Sequence, residues 1–66
     1  MKLILNGESV EVKDQCSLTE LLDLVAFPSD RVAIELNKCV VRKRIWEETT
    51  LKEGDRIEVV HFVGGG

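Results

Sequence analysis

The stretch that decides the fold is MKLILNGESVEV, residues 1–12 of the 66-residue chain. On both sides of Asn6-Gly7, apolar residues recur at every second position, which is the pattern of a half-buried β-strand. Asn-Gly tolerates the positive φ angles of a tight hairpin turn. The stretch therefore predicts an N-terminal β-hairpin that turns at Asn6-Gly7, with Glu8 as the outer limit of its loop.

The period changes in SLTELLDLVAF, residues 17–27. Ser17 and Glu20 have the spacing of a capping box, in which a hydroxyl and a carboxylate bind the first free amides of a helix. Apolar residues follow at the i, i+3, i+4, i+7 spacing of a helical stripe: Leu18, Leu21, Leu22 and Val25. Pro28 then stops the helix, because the residue before a proline is disfavoured in the α region. We predict one amphipathic helix of about ten residues.

The rest of the chain returns to strand patterns. RVAIELN, residues 31–37, alternates again, and a turn at Asn37-Lys38 leads to the short apolar pair Val40-Val41. The irregular segment that follows predicts one helical turn around Ile45-Trp46. A turn at 53–55 then precedes a long last strand, RIEVVHFV.

The predicted order is strand, strand, helix, strand, short strand, strand. A single main helix packed across one face of a mixed sheet buries the inward positions of both. This order predicts an α+β fold of the β-grasp (ubiquitin-like) roll type.

The alternation also assigns the two faces of the sheet. The predicted inward residues are Leu3, Leu5, Val10, Val12, Ile34, Leu36, Ile57 and Val59. His61 falls on the inward set at the end of the last strand, so we expect a partly buried, hydrogen-bonded histidine rather than a catalytic base.

Three apolar residues point to the other face: Ile4, Val60 and Phe62. A strand that packs on one face is usually polar on its other face. We therefore predict that these three residues form a partner docking patch beside the end of the chain. Scattered apolar surface residues are the alternative explanation.

Composition narrows the classes of function. The net charge is −3 and the pI is about 5.0, which disfavours binding to nucleic acid phosphates. The basic run 42–44 is closely followed by Glu47 and Glu48 and is expected to be a solvated loop or a docking contact. Apolar runs are too short for a membrane span, and the N-terminus lacks a signal-peptide pattern. We expect a cytoplasmic protein with no nucleic-acid or membrane partner.

The chemistry-bearing side chains are sparse. Cys16 and Cys39 match no CxxC motif and are expected to be free thiols in a reducing compartment. One histidine and no Cys/His cluster argue against a metal site, and a chain of this size has little room for an enclosed active site. We expect no bound cofactor, no metal and no catalytic residue.

The chain given ends on HFVGGG, residues 61–66. Glycines have no Cβ, so Gly64 and Gly65 can thread a channel too narrow for side chains and bring the Gly66 carboxylate to a partner's reactive centre. The sequence has no phosphate-binding glycine motif before a helix, so another protein must activate that carboxylate. We predict a β-grasp domain over 1–63 and a flexible tail over 64–66; a disordered end is the alternative.

The whole chain resembles the ubiquitin-like sulfur carrier proteins, and among them the ThiS type of thiamin biosynthesis. The resemblance lies in MKLILNGESVEV, SLTELL, VAIELN with the following VV and R...W, and LKEGDRIEVVHFVGGG. Many relatives have proline where Arg42 stands, and they commonly end on two glycines. The family motif therefore maps onto Gly65 and Gly66, with Gly64 as an additional hinge.

The resemblance implies a carrier that is not itself an enzyme. A ThiF-like adenylyltransferase would use ATP and magnesium to adenylate the Gly66 carboxylate. A sulfur donor such as a cysteine desulfurase persulfide would then leave a terminal thiocarboxylate, and a ThiG-like thiazole synthase would accept the sulfur. The free carrier is expected to be a monomer.

Other functions stay open at this point. A MoaD-type carrier gives sulfur to molybdopterin, and related carriers serve methionine, cysteine or tungsten-cofactor pathways. A ubiquitin-like protein modifier would instead join Gly66 to lysines of other proteins. A plain interaction module would not need Gly66 at all.

Overall fold

The computed structural model describes residues 1–25 and 31–61. Its strands are β1 (Lys2–Leu5), β2 (Glu8–Glu11), β3 (Val32–Leu36), β4 (Cys39–Val41) and β5 (Arg56–His61), its helix is α1 (Leu18–Leu24), and a 3₁₀ turn spans Lys43–Ile45. The predicted order of elements is confirmed, including the helical turn that was expected near Ile45.

The five strands form one mixed sheet in the order β2-β1-β5-β3-β4. Strand β5 lies at the centre, parallel to β1 and antiparallel to β3. It pairs with β1 only at Ile4↔Arg56 and Leu5↔Ile57, but its pairing with β3 runs from Leu36↔Ile57 to Val32↔His61. This mixed sheet with a helix on one face confirms the β-grasp fold.

Two hairpin turns of the same kind join the outer strands to their neighbours. Asn6 and Gly7 have φ angles of 48° and 85°, and Asn37 and Lys38 have φ angles of 51° and 72°. Positive φ at both central residues is the requirement of a type I′ turn. Both predicted turns are confirmed, and Glu8 belongs to β2 rather than to the loop.

The capping box starts the helix as predicted. The Ser17 Oγ accepts the Glu20 N–H at 3.1 Å, and the Glu20 Oε1 accepts the Ser17 N–H at 3.0 Å. The helix has seven residues rather than ten, because Val25 leaves the helical region with ψ near 5°. Pro28, the expected stop, lies outside the described residues.

The helix and the inward face of the sheet share one core. Its buried apolar members are Leu3, Leu5, Val12, Cys16, Leu18, Leu21, Leu22, Val32, Ile34, Trp46, Leu51, Ile57 and Val59. Val10 and Leu36, predicted to face inward, are partly buried against it. The irregular segment supplies Trp46, whose Nε1 donates to the Val41 carbonyl at 2.8 Å.

The prediction for His61 is wrong. Along β5 the exposed fraction is 1% at Ile57 and 9% at Val59, and His61 is exposed. Strand β5 continues four residues past its last pairing with β1, and its last residue in the core is Val59.

Candidate functional site

The candidate site is the outer face of the sheet together with the end of β5. This outer face carries the side chains opposite to the core: Lys2, Ile4, Ser9, Glu11, Ala33, Glu35, Val40, Arg56, Glu58 and Val60. Strand β5 ends at His61, and residues 62–66 follow it in the chain. Phe62 of the predicted docking patch and the predicted tail, Gly64, Gly65 and Gly66, lie outside the described residues.

The outer face holds two members of the predicted docking patch but keeps them apart. Val60 is 51% exposed and lies directly beside Ala33. Ile4 lies beside Arg56, four residues earlier along β5, which corresponds to about 13 Å. Glu58 lies between them on the same face, so the exposed apolar surface next to the end of β5 is formed by Val60 and Ala33.

Along β5 the outer face carries in turn a cation, a carboxylate and an apolar side chain, at Arg56, Glu58 and Val60. Glu35 lies directly opposite Glu58 on the neighbouring strand, an arrangement of like charges that disfavours the sheet. Arg56 lies on one side of this pair and Val60 on the other. A partner surface that places a cation against the carboxylates and an apolar side chain against Val60 would complement this order.

A shallow pocket of about 100 Å³ lies between the two hairpin turns, lined by Ile4, Gly7, Lys38, Arg56, Ile57 and Glu58. Pockets that hold small-molecule ligands are usually about 300–1,000 Å³ in volume. This pocket is therefore large enough for one side chain of a partner rather than for a nucleotide.

Two turn asparagines, which the sequence indicated only as turn formers, also bind β5. The Asn6 Oδ1 accepts the Val59 N–H at 2.8 Å, and the Asn37 Oδ1 accepts the Arg56 N–H at 3.0 Å. Asn37 Nδ2 also donates to the buried carboxylate of Asp55 at 3.0 Å. No local pattern signals these bonds, because their partners are 53, 19 and 18 residues apart in sequence.

Both cysteines are free thiols, as predicted. Cys16 is fully buried, and this burial raises the pKa of its thiol; Cys39 is exposed on β4. Within residues 1–25 and 31–61, no group of three or more His, Cys, Asp or Glu is arranged to hold a metal ion. The same ranges contain no helix that is long and apolar enough to cross a membrane.

A family model described as the ThiS family matches residues 3–66. The chain belongs to the ThiS family. The match extends over the three glycines at 64–66, so the ThiS family pattern includes the predicted tail as well as the folded domain.

Known members of the ThiS family match the chain in sequence and in structure. The sulfur carrier protein ThiS of Bacillus subtilis is 40% identical over 65 residues, which cover 97% of this chain and 98% of that protein. The crystal structure of the thiamine biosynthesis protein ThiS from Geobacter metallireducens superposes with a TM-score of 0.86 at 35% identity, with full coverage of both chains. The β-grasp fold is thus that of ThiS.

A thiazole synthase of Magnetococcus marinus contains a segment similar to the whole chain. This segment is 44% identical over 66 residues. The chain spans about a fifth, 20%, of the length of that thiazole synthase.

Proposed function

We propose that this ThiS-family chain carries sulfur for thiamin biosynthesis as a thiocarboxylate on Gly66. The observation that carries the proposal is the position of β5. This central strand is anchored in the core at Ile57 and Val59 and extends to His61 within the described residues, and the family match continues from there through Gly66. A folded body attached by its central strand to a glycine segment suits a carrier whose end is used by other proteins.

The first step activates the carboxylate, whose negative charge resists nucleophilic attack. A carboxylate oxygen of Gly66 attacks the α-phosphorus of ATP, pyrophosphate leaves with magnesium, and an acyl adenylate forms. A ThiF-like adenylyltransferase supplies the ATP and magnesium site. The chain acts in this step as a co-substrate and not as an enzyme.

The second step replaces oxygen by sulfur. The terminal sulfur of a persulfide, for example on a cysteine desulfurase, attacks the acyl carbon and AMP leaves. A thiol reductant then cleaves the resulting acyl disulfide and releases the thiocarboxylate. This sulfur stays covalently bound to Gly66 and remains nucleophilic for the acceptor.

A ThiG-like thiazole synthase is the proposed acceptor of the sulfur. The support is the Magnetococcus marinus thiazole synthase, in which a segment similar to this chain belongs to the synthase polypeptide. Gly64 and Gly65 allow the tail to enter a narrow cleft, because glycine has no side chain to exclude it.

The proposed docking residues for these partners are Val60, near the end of the described part of β5, Ile4, further along the outer face, and Phe62, which follows His61 in the chain. Val60 supports this role because it is 51% exposed on the strand that leads to the tail. The carboxylates of Glu35 and Glu58 add a preference for a partner with a facing cation.

The intact mass of the protein isolated from its native cells tests the proposal. We expect a subpopulation that is heavier by the difference between one sulfur and one oxygen atom, with the change located in the C-terminal peptide. The same measurement establishes whether the native chain ends at Gly66. A chain lacking both Gly65 and Gly66, expressed in the same cells, no longer ends on two glycines; it is the control and is expected to carry no such change.

Complementation of a thiazole auxotroph then tests the pathway. We expect growth to be restored by the chain that ends at Gly66 and not by the chain lacking both Gly65 and Gly66. Growth with both would contradict the carrier role. Sulfur on Gly66 without rescue would assign the carrier to another pathway, such as molybdopterin synthesis, and conjugates to other proteins would indicate a modifier.

A further inference from the structure

The side chain of Asn6 holds strand β5 at a point that strand β1 no longer reaches. The last pairing of β1 with β5 is Leu5↔Ile57, and β1 then turns back into its hairpin. The Asn6 N–H donates to the Ile57 carbonyl at 2.9 Å, and its Oδ1 accepts the Val59 N–H at 2.8 Å. The side-chain oxygen thus takes the place of the next backbone carbonyl that a longer β1 would supply.

We propose that Asn6 is a positioning residue for the sulfur-carrying tail, an inference that rests on the proposed function. Val59 is the last residue of β5 that is buried, and it lies seven residues before Gly66. By accepting the Val59 N–H, Asn6 sets the last point at which β5 is bonded on both sides. The residues after Val59 form the arm that is offered to partners.

The bond at Val59 joins an exposed asparagine to a strand residue that is buried. It lies in a partly buried position, where water compensates the Val59 amide only in part for the loss of its acceptor. Without it, residues 58–61 of β5 stay attached through β3 alone, and the end of the strand separates from the sheet more often.

Release of this segment changes how the Gly66 carboxylate is presented. A longer free arm spreads its end over a larger volume, which lowers the effective concentration of that end at a docked partner's site. The chemistry of the seated carboxylate is unaffected. Loss of the Asn6 side chain is therefore expected to weaken productive binding of the chain to its partner and to leave the rate of the reaction step unchanged.

Asn37 provides a matched control within the same molecule. It is also the first residue of a type I′ turn, with a φ angle of 51° against 48° for Asn6. Its N–H donates to the Arg56 carbonyl at 2.8 Å, and its Oδ1 accepts the Arg56 N–H at 3.0 Å. It binds β5 from the opposite side and at the opposite end from the tail.

Amide hydrogen exchange in the free protein tests the bond itself. Asn6→Gly and Asn37→Gly each remove one side chain at a positive φ that glycine adopts without strain. We expect Asn6→Gly to lower the protection of the Val59 amide, relative to that of Ile57, by roughly tenfold. Asn37→Gly is expected to leave this ratio unchanged, and Asn6→Asp, which keeps the accepting oxygen, is expected to preserve it. A uniform loss over all amides in Asn6→Gly overturns the proposal.

Adenylation of the full chain by an E1-like adenylyltransferase with ATP and magnesium tests the role in function. We expect Asn6→Gly to raise the KM for the chain roughly twofold to tenfold with kcat unchanged, and Asn6→Asp to restore the KM. Asn37→Gly is expected to have the KM of the unsubstituted chain. Equal KM values for the two glycine variants overturn the role of Asn6, whereas no adenylation of the unsubstituted chain overturns the proposed function itself.

Discussion

At Arg56, strand β5 is held from both sides; at His61, within the described residues, it is paired only with β3. Near Arg56 the chain is bound by β1 through the Ile4 N–H and the Asp55 carbonyl at 2.9 Å, and by Asn37 on the other side. At the far end, His61 is exposed and pairs with Val32. One strand therefore combines an end that is bonded on both sides with an end that, within the described residues, is paired on one side only.

The Arg56 end of β5 is held by hydrogen bonds in the turn that precedes it, at residues 52–55. The buried carboxylate of Asp55 accepts the Lys52 N–H at 2.8 Å and an Asn37 amide hydrogen at 3.0 Å. Gly54, at a φ of 83° that favours glycine, donates its N–H to the Lys2 carbonyl at 2.8 Å. The turn that starts β5 is thereby tied to β1 and to the β3–β4 hairpin.

The largest difference between the two ends is expected in the core. Ile57 is 1% exposed, and Ile57→Ala is expected to lower the free energy of unfolding by roughly 3 kcal/mol, because it leaves a cavity. His61→Ala is expected to change it by no more than about 0.5 kcal/mol. Urea unfolding of both variants measures this contrast. Similar losses at the two positions would show that β5 is held equally along its length.

The hydrogen bonds of the anchor are the next target. Asp55→Ala removes a buried carboxylate and with it two partly buried hydrogen bonds, from the Lys52 N–H and from the Asn37 amide, with an expected loss of roughly 2 kcal/mol. Glu53→Ala in the same turn is the control, since its bond to the Lys2 N–H is exposed and its loss is expected to cost less than about 0.5 kcal/mol. Equal urea midpoints for the two variants would contradict the anchoring role of Asp55.

The end near the tail is expected to affect partners rather than stability. Val60→Asp places a charge on an exposed residue and is expected to raise the KM for adenylation about tenfold or more, equivalent to about 1.4 kcal/mol. Val40→Asp is the control, because Val40 is 72% exposed on the same face but lies on the edge strand β4, away from the tail. Unchanged kinetics in Val60→Asp would remove Val60 from the docking surface.

The smallest expected effect is a loss of stability at acidic pH. It should affect amide exchange at the Ile57 end of β5 but not at the His61 end. The hydrogen bond from Lys13, at 2.7 Å, lowers the pKa of the Glu20 carboxylate, and the bond from the Ser17 amide lowers it further. A lowered folded-state pKa adds stability above the unfolded value of about 4.3, and this stability is lost as the pH falls through the folded-state pKa.

We therefore expect unfolding of the wild type to become easier between about pH 5 and pH 3 by more than in Glu20→Gln, which keeps the capping oxygen but cannot titrate. Amide exchange at Ile57, which requires global opening, should follow this loss, whereas exchange at His61 by local fraying should not. Parallel pH profiles for the two proteins would show that the Lys13–Glu20 pair contributes nothing to stability.

Local signals in the sequence predicted the elements well. Asn6-Gly7 and Asn37-Lys38 turn as expected, and the Ser17–Glu20 spacing forms the capping box, because each depends on residues within a few positions. The helix was predicted too long because the apolar stripe continues to Val25, while the backbone leaves the helix there.

Long-range features were missed for a physical reason. The sequence contains no periodic pattern from which to predict that Trp46 and Leu51 are buried. Both lie outside the regular strands and α1, yet their side chains pack in the core. The error at His61 arose because alternation assigns a face but does not show how far along the strand the core extends, and on β5 it extends to Val59. The apolar side chain of Val60 was correctly placed on the outer face, but its separation from Ile4 depends on the register of β1 against β5.

The contrasting burial of the two cysteines has a practical consequence for detecting the cargo. Cys16 is fully buried with a raised thiol pKa, whereas Cys39 lies at the surface. A thiol-alkylating reagent applied to the folded protein will therefore label Cys39 and spare Cys16. In a Cys39→Ser chain the remaining side-chain thiol, that of Cys16, is buried, so an alkyl group gained under native conditions would, under the proposed function, mark a thiocarboxylate on Gly66.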